Sequence, residues 1–168
     1  MNILGFVKKH ISKKNQVIKT ILSVLAVPVF GFILWKITFM LDYLFQTALR
    51  LIVNIFNPMN LMRDVYWVPQ LFHLLFAGLI ILISWFVFRS RLSTLMKAIY
   101  MTVPLAVVFV TIGIFFYPWP WAIYSIGFLT SVSIIYYFYS TKQPWLYYYT
   151  VVYVGLALSI FSLMGGEI

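Results

Sequence analysis

The stretch Ile21-Leu-Ser-Val-Leu-Ala-Val-Pro-Val-Phe-Gly-Phe-Ile-Leu-Trp35 contains no charged residue, and apolar positions extend it in both directions, to about 17 and 40. A helix of about 20 predominantly apolar residues crosses the hydrocarbon core of a bilayer. This stretch therefore reads as a membrane-spanning helix. Pro28 should kink it, and the carbonyl that the proline leaves without a donor can be satisfied by a neighbouring helix. A basic run followed by apolar residues also begins a secretory signal peptide. Here the apolar run is too long and the chain stays apolar beyond it, so the segment reads as retained.

Four more stretches of spanning length follow, at 71–88, 98–117, 119–139 and 145–164, with Pro104 inside the third spanning segment. Tyr117-Pro-Trp-Pro-Trp121 must form a tight hairpin between the third and fourth. Proline fixes φ and disfavours helix in the residue before it, so the two prolines stop both helices. Tryptophan prefers the headgroup boundary, which fits its place there. The expected fold is all-α: a polytopic membrane helical bundle forming one domain over 1–168, with about five transmembrane helices.

Composition supports lipid as the solvent. Apolar residues make up 64% of the 168-residue chain and charged residues 9%, against about 45–50% and about 25% in soluble domains. A soluble fold of this size could not hide so much apolar surface. The net charge of +9 is not read as nucleic-acid binding, because no basic stripe with stacking aromatics lies outside the apolar segments. The basic residues fall at segment ends, where they set orientation. With the N-terminus cytoplasmic, the inner side holds Lys8, Lys9, Lys13, Lys14, Lys19, Arg89, Arg91, Lys97 and Lys142, and the outer side only Arg50 and Arg63. The C-terminus is then outside. A bacterial cytoplasmic (inner) membrane is the expected location. With no cysteine in the chain, disulfides, thiol catalysis and Cys-ligated metal sites are excluded.

Two segments are amphipathic. Residues 1–15 place Leu4, Val7 and Ile11 on one face and lysines elsewhere, which suits an orientation signal with affinity for anionic lipid or a helix that docks a partner. In 41–57, Asp42, Gln46, Arg50 and Asn54 recur every four residues among apolar neighbours. That pattern predicts an amphipathic helix lying at the outer interface or dipping into the bundle, ended by Asn57-Pro58.

The residues able to carry chemistry are few. Lys36 is charged and deep, so it is a functional candidate by default. Alternatively it snorkels to the outer boundary, or pairs with Asp42 or Asp64. Asp42 is six positions from Lys36 and is not expected on the same helical face. The Asp42, Gln46, Arg50, Asn54 stripe could line a pathway or subunit contact, or be a solvated face. Asp64 could cap the start of the second spanning helix. His73 could ligate metal or relay protons, or simply bond to a neighbouring helix. Gly127-x-x-x-Ser131 and Gly155-x-x-x-Ser159 are small-residue patterns that permit close helix packing. The tyrosines at 136, 137, 139, 147, 148 and 149 read as an aromatic belt.

There is no pair of carboxylates at catalytic spacing, no metalloprotease motif, no nucleophile elbow and no phosphate loop. No cofactor and no metal are expected, and an enzymatic role ranks lowest. The first expectation is a non-catalytic integral subunit of a larger membrane assembly, of secretion, conjugation or envelope-synthesis type. The alternative is a small oligomeric transporter or channel with a polar pathway near Lys36, Asp42, Arg50 and His73. Expected partners are the bilayer and other membrane subunits, or further copies of the chain.

Overall fold

The computed structural model describes residues 3–56 and 68–163, with side chains over 16–55 and 68–162. Five helices follow in order: α1 (Ile3–Phe56), α2 (Val68–Arg89), α3 (Thr94–Phe116), α4 (Pro120–Ser140) and α5 (Trp145–Leu163). All five are long and apolar enough to cross a membrane, which supports an integral membrane protein with a helical-bundle form.

The main departure from the sequence-based expectation is α1. Residues 41–56 are not a separate helix; they continue the first spanning helix without interruption, as do residues 3–16 at its other end. The physical reason lies in the residues. Between Gly31 and Phe56 there is neither glycine nor proline, so nothing ends the hydrogen-bond ladder where the hydrocarbon is expected to end. At 1.5 Å per residue, the 54 residues of α1 extend ~80 Å. The described helix runs to Phe56. Residues 57–67, with the expected Asn57-Pro58 stop and Asp64 cap, lie outside the described residues, as does the side-chain pattern of 1–15.

Pro28 remains inside α1. Having no N–H, it leaves the carbonyl of Val24 without its helical donor. The Tyr149 hydroxyl, on α5, donates to that carbonyl at 3.1 Å. A neighbouring helix thus supplies the donor that proline removed.

α3 is the hub and packs against each of the other helices. Its buried side runs from Ala98 to Gly113. The main core joins Val27 of α1, Ala98, Met101, Leu105, Ala106 and Val110 of α3, and Leu146, Val151, Val154 and Leu158 of α5. A smaller cluster joins Phe76, Ala77 and Ile80 of α2 to Val103 and Val107 of α3. A close approach of α1 and α3 occurs at Gly31, where an added Cβ would lie 2.6 Å from Thr102 Cγ2. Glycine is required there because the facing threonine side chain leaves no room for a methyl group.

α4 is peripheral, with Ala122 its one buried residue; Phe128, Leu129, Tyr136 and Tyr139 point outward. The small-residue patterns of α4 and α5 do face one another at Gly155, whose added Cβ would stand 3.9 Å from Ser131 Oγ. That is an ordinary contact, not an exceptionally tight one. A cavity of ≈ 570 Å³ lined by Gly127, Ser131, Gly155 and Ser159 lies beside it.

Short connections hold the helix ends. Ser93 caps α3 by accepting from the Met96 amide at 3.3 Å, and Lys97 Nζ donates to the Phe88 carbonyl at 2.7 Å, tying α3 to the end of α2. The expected Pro-Trp-Pro hairpin forms, with the Trp119 amide donating to Phe116 O at 2.8 Å and Pro120 opening α4. α4 ends in a Schellman motif: Gln143 N–H donates to Phe138 O and Lys142 N–H to Tyr139 O. Lys142 takes the left-handed position at φ 51°, where glycine is usual.

Candidate functional site

One stripe of α1 carries Phe32, Trp35, Lys36, Phe39, Asp42 and Gln46, spaced three or four apart along the helix. These residues line one wall of a cavity of ≈ 590 Å³; α5 contributes Tyr153, Ala157, Leu158 and Phe161, α3 contributes Val110 and Ile114, and α2 contributes His73. His73 lies 16 residues before Arg89, and Thr111 lies 14 residues after Lys97. At helical rise these are ~24 and ~21 Å. If Arg89 and Lys97 mark one face of a ~30 Å hydrocarbon layer, the site lies one to two turns inside the opposite face.

The centre of the site is a buried Asp–His hydrogen bond between helices. His73 Nδ1 is 2.7 Å from Asp42 Oδ2. His73 is 2% exposed and Asp42 6%. The second ring nitrogen, Nε2, is 3.1 Å from Thr111 Oγ1 on α3. Gln46 Nε2, one turn along α1, donates to Asp42 Oδ1 at 3.1 Å. A buried carboxylate is costly unless paired and hydrogen-bonded; here each of its two oxygens has a partner.

The Thr111 hydroxyl has two acceptors within reach, Val107 O and the ring nitrogen. Thr111 Oγ1 also sits 2.7 Å from Val107 O, one turn back on α3, and donates to it. In the arrangement where its hydrogen is so used, Thr111 accepts from the ring and Nε2 carries a hydrogen. The short Nδ1 to Oδ2 contact then holds one further proton, either as imidazolium with carboxylate or as neutral ring with carboxylic acid. If that proton leaves, the ring can keep both contacts only by exchanging roles: Nδ1–H donates to the carboxylate, and the Thr111 hydroxyl turns to donate to Nε2. Two fully bonded arrangements thus exist, differing by one proton.

Lys36 does not join this network. Its Nζ lies over the Phe32 ring, 5.4 Å from the centroid, and its side chain is exposed. Among the described residues, Asp42 is paired with His73 rather than Lys36. Lys36 and Asp42 nonetheless border the same cavity, although six residues separate them. Each lies ~60° from Phe39 around the helix, at 100° per residue, and the cavity is wide enough to span both. Trp35 lines it too, and its indole Nε1–H is buried with no hydrogen-bond partner.

The four-residue stripe read from sequence comes together only in part. Asp42 and Gln46 enter the site, while Arg50 and Asn54 are exposed. A spacing of four exceeds the helical repeat of 3.6, so the stripe rotates ~40° per step and has turned away by Asn54. Asp64 lies outside the described residues. Thr111, Trp35 and Tyr153 were not singled out from sequence; Thr111 is legible only as a hydroxyl in an apolar helix, and its partner was not. Among the described residues, no group of three or more His, Cys, Asp or Glu forms a candidate metal centre.

Compared with known proteins, the chain matches no family profile, no curated protein and no solved structure.

Proposed function

We propose that this chain is a small proton-coupled membrane transporter, with the Asp42–His73 pair holding the coupling proton beside the cavity that receives the solute. The observation that supports this reading is the pair itself: a buried carboxylate and imidazole on different helices, with Thr111 able to reverse its hydrogen bond when the proton leaves. Intramembrane ionisable residues that face a bundle interior are typical of proton relays. We place the chain in a bacterial cytoplasmic membrane, N-terminus inside, on the charge distribution alone.

The test uses proteoliposomes with an imposed pH gradient and a metabolite extract as the solute pool. Compounds retained after filtration are identified by mass spectrometry. The expected result is protonophore-sensitive accumulation of a solute by the wild-type chain, lost in Asp42→Asn and His73→Gln variants that still elute as the wild type does.

A second reading is supported by a different feature. α1 covers 54 residues and extends ~80 Å at helical rise, well beyond a ~30 Å hydrocarbon layer. Leu51, Ile52 and Ile55 are exposed along it. That surplus favours an integral subunit of a larger membrane assembly, with α1 covered by a partner. No accumulated solute, together with stable co-purification of unrelated subunits, would replace the first reading with this one.

A further inference from the structure

We infer that the cavity bordered by Lys36 and Trp35 recognises an organic anion with an apolar body. This deepens the transport reading by naming its solute class, but the recognition stands on its own chemistry.

The argument is an inventory of hydrogen-bonding groups at the cavity wall. The Asp42 carboxylate is partnered on both oxygens, Oδ2 by His73 and Oδ1 by Gln46. The Tyr153 hydroxyl donates to Pro28 O at 3.5 Å. Gln46 Oε1 adds an acceptor to this wall, and Lys36 is its cationic donor. Lys36 Nζ has an aromatic ring beneath it and no carboxylate partner among the described residues. A cationic donor at an otherwise apolar wall fits a carboxylate or phosphate. The rest of the lining is Phe32, Phe39, Ile114, Leu158 and Phe161, which offers apolar surface to the body of the ligand. A volume of ≈ 590 Å³ suits a small organic molecule.

The same chemistry could come from a free organic acid or from the phosphate of an anionic lipid, and the experiment separates them. The full chain is placed in phosphatidylcholine nanodiscs and titrated calorimetrically with 4-phenylbutyrate and with neutral 4-phenylbutanol. Saturable binding of the acid is expected, with the alcohol at least about tenfold weaker, the ratio a charge-assisted contact supplies. Lys36→Gln should weaken the acid by about tenfold while Lys36→Arg retains it. Repeating the titration with phosphatidylglycerol in the disc identifies the source: competition assigns the site to a lipid headgroup, and undiminished binding assigns it to a free acid. Equal binding of acid and alcohol, or unchanged binding in Lys36→Gln, overturns the inference. So does failure to bind the acid together with failure to retain phosphatidylglycerol in native mass spectrometry.

Titration in buffers of different ionisation enthalpy counts the protons taken up with the ligand. Uptake in the wild-type chain that is missing in His73→Gln supports coupling. Anion binding through Lys36 without proton uptake keeps this inference and removes the proton-coupled reading. Proton-driven accumulation of a solute by a chain that binds no anion removes this inference alone.

Discussion

Asp42 and His73 stand 31 positions apart in sequence and 2.7 Å apart in space, and each is what makes the other tolerable inside the bundle. Removing one partner leaves a buried polar group unsatisfied, at a cost of about 1–3 kcal/mol. His73→Ala should therefore destabilise the chain by about that amount in a detergent unfolding titration, and so should Asp42→Ala. The double variant should lose clearly less than the two together, because neither charge is then left alone; simple additivity would show that the pair does not form. Gly31 makes a second prediction at this scale. Gly31→Ala drives a methyl against Thr102, and overpacking of this kind costs about 1–3 kcal/mol. Adding Thr102→Ala should recover part of the loss in the same titration, since it removes the Cγ2 and Oγ1 atoms that the new methyl meets. The candidates Lys36, Asp42, Gln46 and His73 were all legible as rare polar residues in apolar sequence. What joined them was not legible, because a single chain shows which side chains share a helix face and not which face meets which. Thr111 and Trp35 were missed for a related reason: a threonine bonded to its own backbone and a tryptophan in a spanning helix are both ordinary until their partners are known.

At the scale of the element, the contact between Tyr149 and the Val24 carbonyl exists because Pro28 has no N–H. Tyr149→Phe should cost about 1 kcal/mol of stability. In a Pro28→Ala background the cost should shrink towards zero, since the amide restored at position 28 would itself bond Val24 O; thermal unfolding of the four variants decides the point. The continuity of α1 is testable by spin labelling. The chain has no native cysteine, so cysteines at the exposed positions Leu22 and Leu51 can be labelled cleanly. An unbroken helix separates their backbones by ~44 Å at 1.5 Å per residue, whereas a bend near residue 40 would shorten and broaden the measured distance. Four of the five spanning helices were placed from sequence to within a few residues, because their ends coincide with prolines, caps and charges. The far end of α1 was misread because a limit set by bilayer thickness was applied where the chain itself has no helix breaker. The α4 to α5 turn was also hidden: its left-handed position is occupied by Lys142, and a lysine carries no turn signal.

At the scale of the whole molecule, the outward surface is apolar almost everywhere. Leu25, Phe30, Ile81, Phe86, Phe128 and Leu156 are all more than half exposed, as expected where lipid replaces water as the surroundings. Orientation rests on charge. A reporter fused after Ile168 should be active on the outer side and silent on the inner. Moving the balance by replacing Arg89, Arg91 and Lys97 with Gln should yield a mixed population in the same assay. The length of α1 has one further consequence. A stiff rod of ~80 Å that passes through the bundle acts as a lever, with its pivot where Gly31 presses on Thr102. A tilt of ~10° about that pivot, near mid-length, swings each end by ~7 Å. Events on one side of the bilayer would then be felt mechanically on the other, through the same helix that carries Lys36 and Asp42.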